Sequence, residues 1–283
     1  MAQQPPTQQV QTWLTDDAGE AWQRGAATRA QYMARATELM LELAGVAPGA
    51  RVLDIGAGTG DQSLDAARLV GPSGSVLATD NAPSMLAVAA REAQAARLIQ
   101  VHTQVVDAQD IGATLPAESF DAAICRNGLM FVPDLGRALA GIRQVLKPGA
   151  RFATTVWASA EKNPYMSVSV AVAERRLGPG SPPLTVGLAL SLGAPGLLDG
   201  AFRAAGFRDV AVHSAPVNRE YLSAAEAVSS MRSRATPSSE GIHRLPEAEQ
   251  EAAWAEVEAQ LRAFETPRGC SIPGEALVVV GAR

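Results

Sequence analysis

The sequence predicts an α/β fold: one doubly wound, mostly parallel sheet of about seven strands, with an inserted helical cap. Three observations predict it. Short apolar runs alternate with stretches of helical spacing from Ala26 to Trp157, and several of those runs end in an acidic residue or an asparagine. Between Trp157 and the closing run "ALVVVGA" the alternation loosens into segments dense in Gly and Pro. A helix after each strand carries the chain back to the end where that strand began, so the strands lie parallel with helices on both faces.

The opening "MAQQPPTQQV" is rich in Gln and Pro, and residues 1–25 are expected to be a disordered tail. It has no basic patch ahead of an apolar core, so neither a secretory signal nor an anchor is expected, and a cytoplasmic location follows by default. Residues 26–283 are long enough for a large core and read as one domain with elaborations.

Tyr32, Met33, Ala36, Leu39, Met40 and Leu43 recur at helical spacing, giving a helix over 26–44 that stops near Gly45. The turn "VAPGAR" delivers the chain into a first strand, Val52 to Ile55, followed by a glycine loop and a helix from about Gln62 to Val70. "GPSGSVLATD" supplies a second strand ending at Asp80, and Pro83 opens an Ala-rich helix at a position where its missing N–H does no harm. "LIQVHTQVVDA" reads as a third strand ending at Asp107, and "FDAAICRN" as a fourth ending near Asn127. A helix over 134–146, the turn "KPGA" and the strand "RFATTVW" complete this half. The residues after Trp157 hold one helix-like stretch and a Gly/Pro-dense run, 178–196. A helix and a strand around Asp209 to Val217 return to the pattern, followed by helical stretches near 224–232 and 246–264 and the closing strand. The segments at about 158–196 and 218–272 form the cap.

Composition excludes several classes of function. No apolar run approaches the roughly 18 residues of a membrane span, so no membrane partner is expected. The formal charge is −5, with Lys and Arg scattered singly, which does not build a surface for neutralising phosphates, so no nucleic-acid partner is expected either. Cys125 and Cys270 fit neither a zinc spacing nor a disulfide framework and read as reduced structural residues.

The informative stretch is "RVLDIGAGTGDQSLDAA", residues 51–67. Gly56, Gly58 and Gly60 stand at alternate positions directly after a strand, where they permit a tight turn and let backbone N–H groups approach a ligand. A dinucleotide fingerprint needs its third glycine where this chain has Asp61, so a nicotinamide or flavin enzyme fits poorly. Asp54, two residues before the loop, would repel a pyrophosphate and suits a cationic group. Asp80 can accept from both hydroxyls of a ribose, Asp107 from an adenine amino group, and Met85 can pack on a purine face. The ligand that has a cation, a ribose and an adenine in this order is S-adenosylmethionine.

The residues "VLDIGAGTG", "ATDNAPSML", "VVDAQD", "FDAAICRNGLMFVPD" and "VLKPGARFATTVW", in this order and spacing, resemble the five motifs of the class I S-adenosylmethionine-dependent methyltransferases. The branch resembled is the small-molecule one related to ubiquinone and menaquinone methyltransferases. The resemblance implies a Rossmann-like sheet. It implies that Asp54, Gly56, Ala57, Gly58 and Gly60 line the methionine half of the cofactor. Asp80 would then hold the ribose, Asn81 and Met85 the adenine, Asp107 and Ala108 its edge, and Asn127 the sulfonium side. Tyr32 either reaches the cofactor carboxylate, as the segment before the first strand does in such enzymes, or is one rung of an amphipathic helix.

The implied reaction is methyl transfer to an oxygen or carbon of a small, largely apolar acceptor: a phenol, a quinol or a polyketide-like acid. Met130 and Phe131 after the fourth strand, and Trp157 and Tyr165 after the fifth, are the expected acceptor-binding residues, with packing of the cap as the alternative role. No catalytic base is identified: His102 and His213 lie in or beside strands without a motif, and His243 falls in the late insertion. No cluster has metal-ligand spacing. The alternative function keeps the cofactor but catalyses a non-methylating reaction such as cyclisation, or only binds. A homodimer is a possible assembly.

Overall fold

The computed structural model describes residues 14–179, 181, 184–233 and 237–283. Two compact units emerge from the chain. The first comprises residues up to Val156 with Pro195–Ser214 and Leu277–Arg283, and the second Trp157–Ala194 with Ala215–Ala276.

The first unit is built on the expected alternation. Helices α1 (Ala18–Gln23) and α2 (Ala26–Ala44) precede β1 (Arg51–Ile55), α3 (Asp61–Val70), β2 (Ser75–Asp80), α4 (Pro83–Ala95) and β3 (Val101–Val105). Next come α5 (Ile111–Thr114), β4 (Phe120–Arg126), α6 (Leu135–Val145) and β5 (Leu146–Trp157). After the first segment of the second unit, α9 (Leu197–Ala204) and β6 (Arg208–Pro216) follow, and β10 (Glu275–Ala282) closes the chain; α7, α8, α10 to α12 and β7 to β9 lie in between.

The sheet has seven strands in the order β3-β2-β1-β4-β5-β10-β6. Parallel registers join β1 to β2, β1 to β4, β2 to β3 and β4 to β5, for example Leu53↔Leu77 and Leu53↔Ala123. Because β2 and β4 flank β1, the strand order reverses there, and the crevice beyond the carboxyl ends of β1 and β4 is where such sheets hold ligands. Val52, Leu53, Val76, Ala78, Ala122, Ala123 and Ile124 are fully buried, as the inner strands of a sheet covered on both faces require. Farther along, Phe152, Phe202 and Phe207 pack ring to ring, with Phe152 and Phe202 stacked at 5.2 Å.

The second unit holds α7 (Pro164–Leu177), α8 (Thr185–Ala189), α10 (Ala224–Arg232), α11 (Pro237–His243) and α12 (Glu247–Leu261). It also holds an antiparallel sheet in the order β7-β9-β8, made of Arg219–Tyr221, Gly269–Ile272 and Glu265–Thr266. Asn163, 1% exposed, fixes the unit's two ends together. Its amide donates to the carbonyls of Ala158, Ser159 and Glu275, and its oxygen accepts the Glu275 N–H at 3.2 Å.

The structure corrects several expectations. Residues 1–13 of the expected tail lie outside the described residues, while Ala18–Gln23, within that same tail, is helical. Buried Ala18 and the close approach of Gly19 to Ser84 hold α1 against α4, where an ideal Cβ on Gly19 would stand 2.3 Å from the Ser84 carbonyl oxygen. The cap is not purely helical, because it contains the small sheet. The third strand ends at Val105 instead of Asp107, since Asp107 accepts from the Gln109 N–H and caps the next turn. The fifth strand starts at Leu146, with a register shift opposite Phe120 and Ala122 absorbing "KPGA".

Candidate functional site

The loop between β1 and α3 is formed by backbone conformation. Gly56, Gly58 and Gly60 have φ of 62°, 57° and 85°, the left-handed region that side chains disfavour. At Gly60 space also forbids a side chain, because an ideal Cβ would lie 2.8 Å from the Cβ of Ala89 on α4. The Ala57 N–H donates to the carbonyl of Thr79 at 2.9 Å, which ties the loop to the end of β2.

Asp80, the last residue of β2, completes the cradle. One carboxylate oxygen accepts the Gly58 N–H and the other the Ala82 N–H, each at 2.9 Å. Burial pushes its carboxyl up, against the lowering effect of the Ala82, Gly58 and Asn81 N–H groups. Each oxygen has a second lone pair, so the group keeps accepting capacity beyond these two bonds.

Asp54 does not present its carboxylate to a ligand, which corrects the expectation that it meets a cationic group. It is 0% exposed; its oxygens accept from Ser63 Oγ at 2.5 Å and Gln62 Nε2 at 3.1 Å, and Gln62 also reaches the Ala57 carbonyl. The carboxylate braces the first turn of α3 and the loop from beneath. Burial pushes it up to about 7, with the Ser63 and Gln62 hydrogen bonds opposing.

On the side expected for adenine, Asn81 is exposed and Asp107 and Ala108 are half-buried. Met85, 6% exposed, packs with Ala18 and Ala82, so in this structure its neighbour is the helix α1. The Val106 N–H donates to the Asp80 carbonyl, which sets the turn holding Asp107 beside the cradle.

Beyond β4, Asn127 has φ of 55°, a conformation that asparagine tolerates better than most residues. Its N–H donates to the Thr155 carbonyl at 3.0 Å and its side-chain oxygen accepts from Thr155 Oγ1 at 3.1 Å. The two loops meet here: an ideal Cβ on Gly56 would lie 3.6 Å from the Cα of Gly128. The turn that follows buries Met130 and half-buries Phe131.

Sequence reasoning missed the charged network under the loop. Asp61 Oδ2 accepts from Arg29 Nε and from Arg126, each at 3.0 Å, with side-chain exposures of 11%, 7% and 13% for Arg29, Arg126 and Asp61. Arg29 also reaches Thr59 Oγ1 at 3.4 Å and lies 4.5 Å from the Trp22 ring centre, while Arg126 donates to Thr37 at 3.2 Å. Burial pulls Arg29 down and the Asp61 charge opposes it. Tyr32 is half-buried on the same helix. One signal was present in the sequence: Arg29 continues the spacing of Met33, Ala36 and Met40, the buried face of α2.

In the second unit, Trp157 and Tyr165, each 8% exposed, are brought together by a residue the sequence did not single out. Arg219 sets its guanidinium 4.1 Å from the Tyr165 ring centre and 5.3 Å from that of Trp157. His102, His213 and His243 are exposed, and His243 meets the edge of Trp254 at 5.9 Å. His213 stands exposed on β6, the edge strand of the sheet. Among the described residues, no group of three or more His, Cys, Asp or Glu could hold a metal ion, and no helix is long and apolar enough to cross a membrane.

A methyltransferase domain family matches residues 47–176. The chain is 41% identical over 107 residues to the 2-phytyl-1,4-naphtoquinone methyltransferase of Synechococcus elongatus, covering 38% of this chain and 45% of that one. It is 41% identical over 111 residues to the ubiquinone/menaquinone biosynthesis C-methyltransferase UbiE of Teredinibacter turnerae, covering 39% and 44%. To the aklanonic acid methyltransferase DauC of a Streptomyces species it is 40% identical over 107 residues, covering 38% and 48%. The matched segment thus spans under half the length of each of these relatives. Among solved structures, the [4+2]-cyclase SpnF aligns over 87% of this chain and 79% of its own, with TM-score 0.53 and 23% identity. The YcgJ protein of Bacillus subtilis aligns over 87% and 97%, with TM-score 0.57 and 18% identity. Both likenesses are of fold.

Proposed function

Residues 47–176 being a class I S-adenosylmethionine-dependent methyltransferase domain, we propose that this chain transfers a methyl group from S-adenosylmethionine to an oxygen or carbon of a small, largely apolar acceptor. A phenol, a quinol or a polyketide-like acid fits, in keeping with the quinone and polyketide-acid names of its relatives. The observation that supports the cofactor best is the cradle itself. Three left-handed glycines stand at alternate positions, the Asp80 carboxylate accepts the Gly58 N–H between the other two, and at Gly60 a side chain would fill space that is already occupied.

Bound there, S-adenosylmethionine supplies an activated methyl group, which leaves the protein to bind, orient and exclude water. In this reading Gly56, Ala57, Gly58 and Gly60 offer backbone to its methionine half, and Asp80 accepts from the ribose. Asn81, Met85, Asp107 and Ala108 bound the adenine, with Asn127 toward the sulfonium side and Tyr32 toward the carboxylate. Asp54 acts one layer below, holding the loop through Ser63 and Gln62. Met130 and Phe131 supply apolar and aromatic surface for the acceptor. The formal charge of −5 supports a small-molecule acceptor over a nucleic acid. The reading places the enzyme in the cytoplasm, as a homodimer.

Calorimetric titration with S-adenosylmethionine and S-adenosylhomocysteine tests this. Micromolar binding is expected, followed by release of S-adenosylhomocysteine on turnover with an acceptor. A folded protein that binds neither overturns the reading, and turnover that leaves S-adenosylmethionine intact identifies a non-methylating enzyme instead.

A further inference from the structure

Strand β3 is one edge of the seven-stranded sheet, and among the described residues it pairs with β2 alone. The Val76 N–H donates to the Gln100 carbonyl at 2.9 Å and the Val106 N–H to the Asp80 carbonyl at 3.0 Å, so alternate residues from Gln100 to Val106 turn their backbone groups toward β2. Val101, Thr103 and Val105, between them, turn theirs to the open edge. Edge strands of sheets that stay solitary are commonly blunted by charge, proline or a bulge. Strand β3 has none of these: residues 98–106 contain no Asp, Glu, Lys, Arg or Pro, and the register with β2 runs unbroken from Val101 to Val105. The opposite edge is blunted, since β6 begins with Arg208 and a left-handed Asp209 and ends at Pro216.

The sequence of β3, Val-His-Thr-Gln-Val, reads nearly alike from either end. Laid antiparallel on a copy of itself about Thr103, it sets Val101 against Val105, Thr103 against Thr103 and His102 against Gln104. The residues that face outward then face one another, and their pairs exchange about six backbone hydrogen bonds. On the side of α4, Thr103 and Val105 line an open groove of about 210 Å³ with Leu86, Ala87 and Ala90, and Val105 is 54% exposed. Facing β-branched pairs suit such a strand junction. Ala87, Ala90 and Gln94 are exposed at helical spacing on α4, so small side chains stand where the α4 of a second copy would approach. The ends also match in charge. Exposed Arg97 precedes the strand, while Asp107 and Asp110, the latter also paired with Arg137, follow it. Antiparallel addition brings the basic end of one copy to the acidic end of the other.

We propose that a second copy of this chain docks on β3 by antiparallel strand addition about Thr103, which joins two seven-stranded sheets into one across a twofold axis. This rests on the homodimer in the reading above, to which it gives an interface, and not on the methyl transfer.

Sedimentation velocity of the full chain tests it. The wild-type protein is expected to be a dimer at about 10 μM. Thr103→Pro removes an N–H that points outward and none that bonds β2, and Val105→Lys sets a charge in the groove. Each should raise the dimer dissociation constant about 100-fold or more, and Val105→Lys carries the test if Thr103→Pro does not fold. Val212→Lys, at a site 46% exposed on the opposite edge, should remain dimeric. A monomeric wild type overturns the interface and the homodimer together. A dimer that persists in the β3 variants overturns the interface alone, and dissociation by Val212→Lys in their place moves the contact to β6. Titration of the same samples with S-adenosylhomocysteine reads the cofactor site separately: its failure overturns the methyltransferase reading and leaves the sedimentation result to decide the interface.

Discussion

Ser63 donates its hydroxyl to the carboxylate of Asp54 at 2.5 Å, inside a site with no solvent exposure at Asp54. Two donors do not offset the loss of water around that charge, and the group ionises near 7 in the fold against 3.8 ordinarily. Between those values the folded state holds a proton that the unfolded chain has lost. The associated stability is complete below 3.8 and is lost as pH rises through about 7. Asp54→Asn removes this titration and leaves a cost that does not vary with pH. Its stability relative to wild type should therefore improve by about 2 kcal/mol between about pH 5 and about pH 8. Urea unfolding at steps across that range checks it, and parallel curves for the two proteins would show that Asp54 is ionised throughout.

Asp61 is the shared counter-charge of two guanidiniums, those of Arg29 and Arg126. Asp61→Asn leaves Arg29 and Arg126 in place with their common counter-charge removed, and should cost about 3–5 kcal/mol. Asp65→Asn, which removes a charge 48% exposed and paired along the helix with Arg68, should stay within about 0.5 kcal/mol. Denaturant midpoints of the two variants give the comparison.

At Asp80 a change of one atom is enough. Asp80→Asn offers one acceptor where the backbone N–H groups of Gly58 and Ala82 require two, so one N–H loses its partner. A stability loss of about 1–3 kcal/mol is expected, with roughly tenfold or greater weakening of S-adenosylhomocysteine binding in titration calorimetry. A loss of stability with unchanged affinity would confine Asp80 to shaping the loop.

Two glycine substitutions separate backbone conformation from crowding. Gly45 has φ of 76° with nothing within 4 Å of an added Cβ, whereas Gly60 has φ of 85° and Ala89 at 2.8 Å. Gly45→Ala should cost about 1–2 kcal/mol, the left-handed penalty alone. Gly60→Ala should cost about 1–3 kcal/mol more, because α4 must also give way. Thermal unfolding of both proteins measures the difference.

The features legible in the sequence were those written locally. Gly56, Gly58 and Gly60 sit at fixed offsets from an apolar strand, and Asp80 follows its strand directly, so a few residues of context place them. Asp107 shows where that rule loosens, because its carboxylate prefers the nearby Gln109 N–H and the strand stops at Val105. The Arg29–Asp61–Arg126 network joins positions 32 and 65 residues apart, and no local pattern announces such a pairing. Strands β7, β9 and β8, of 3, 4 and 2 residues, are too short for an alternation to stand out, and this hid both the small sheet and the place of Arg219.

Cys125 and Cys270 are free thiols with no exposed surface, one in each unit. Burial pushes Cys125 up to about 12 and raises Cys270 as well, so neither is a thiolate at neutral pH and neither should react while its surroundings stay closed. The chain thus has its own pair of chemical clocks. The rate at which a maleimide labels each thiol, resolved by peptide mass, reports how often that unit breathes, without introducing any probe residue.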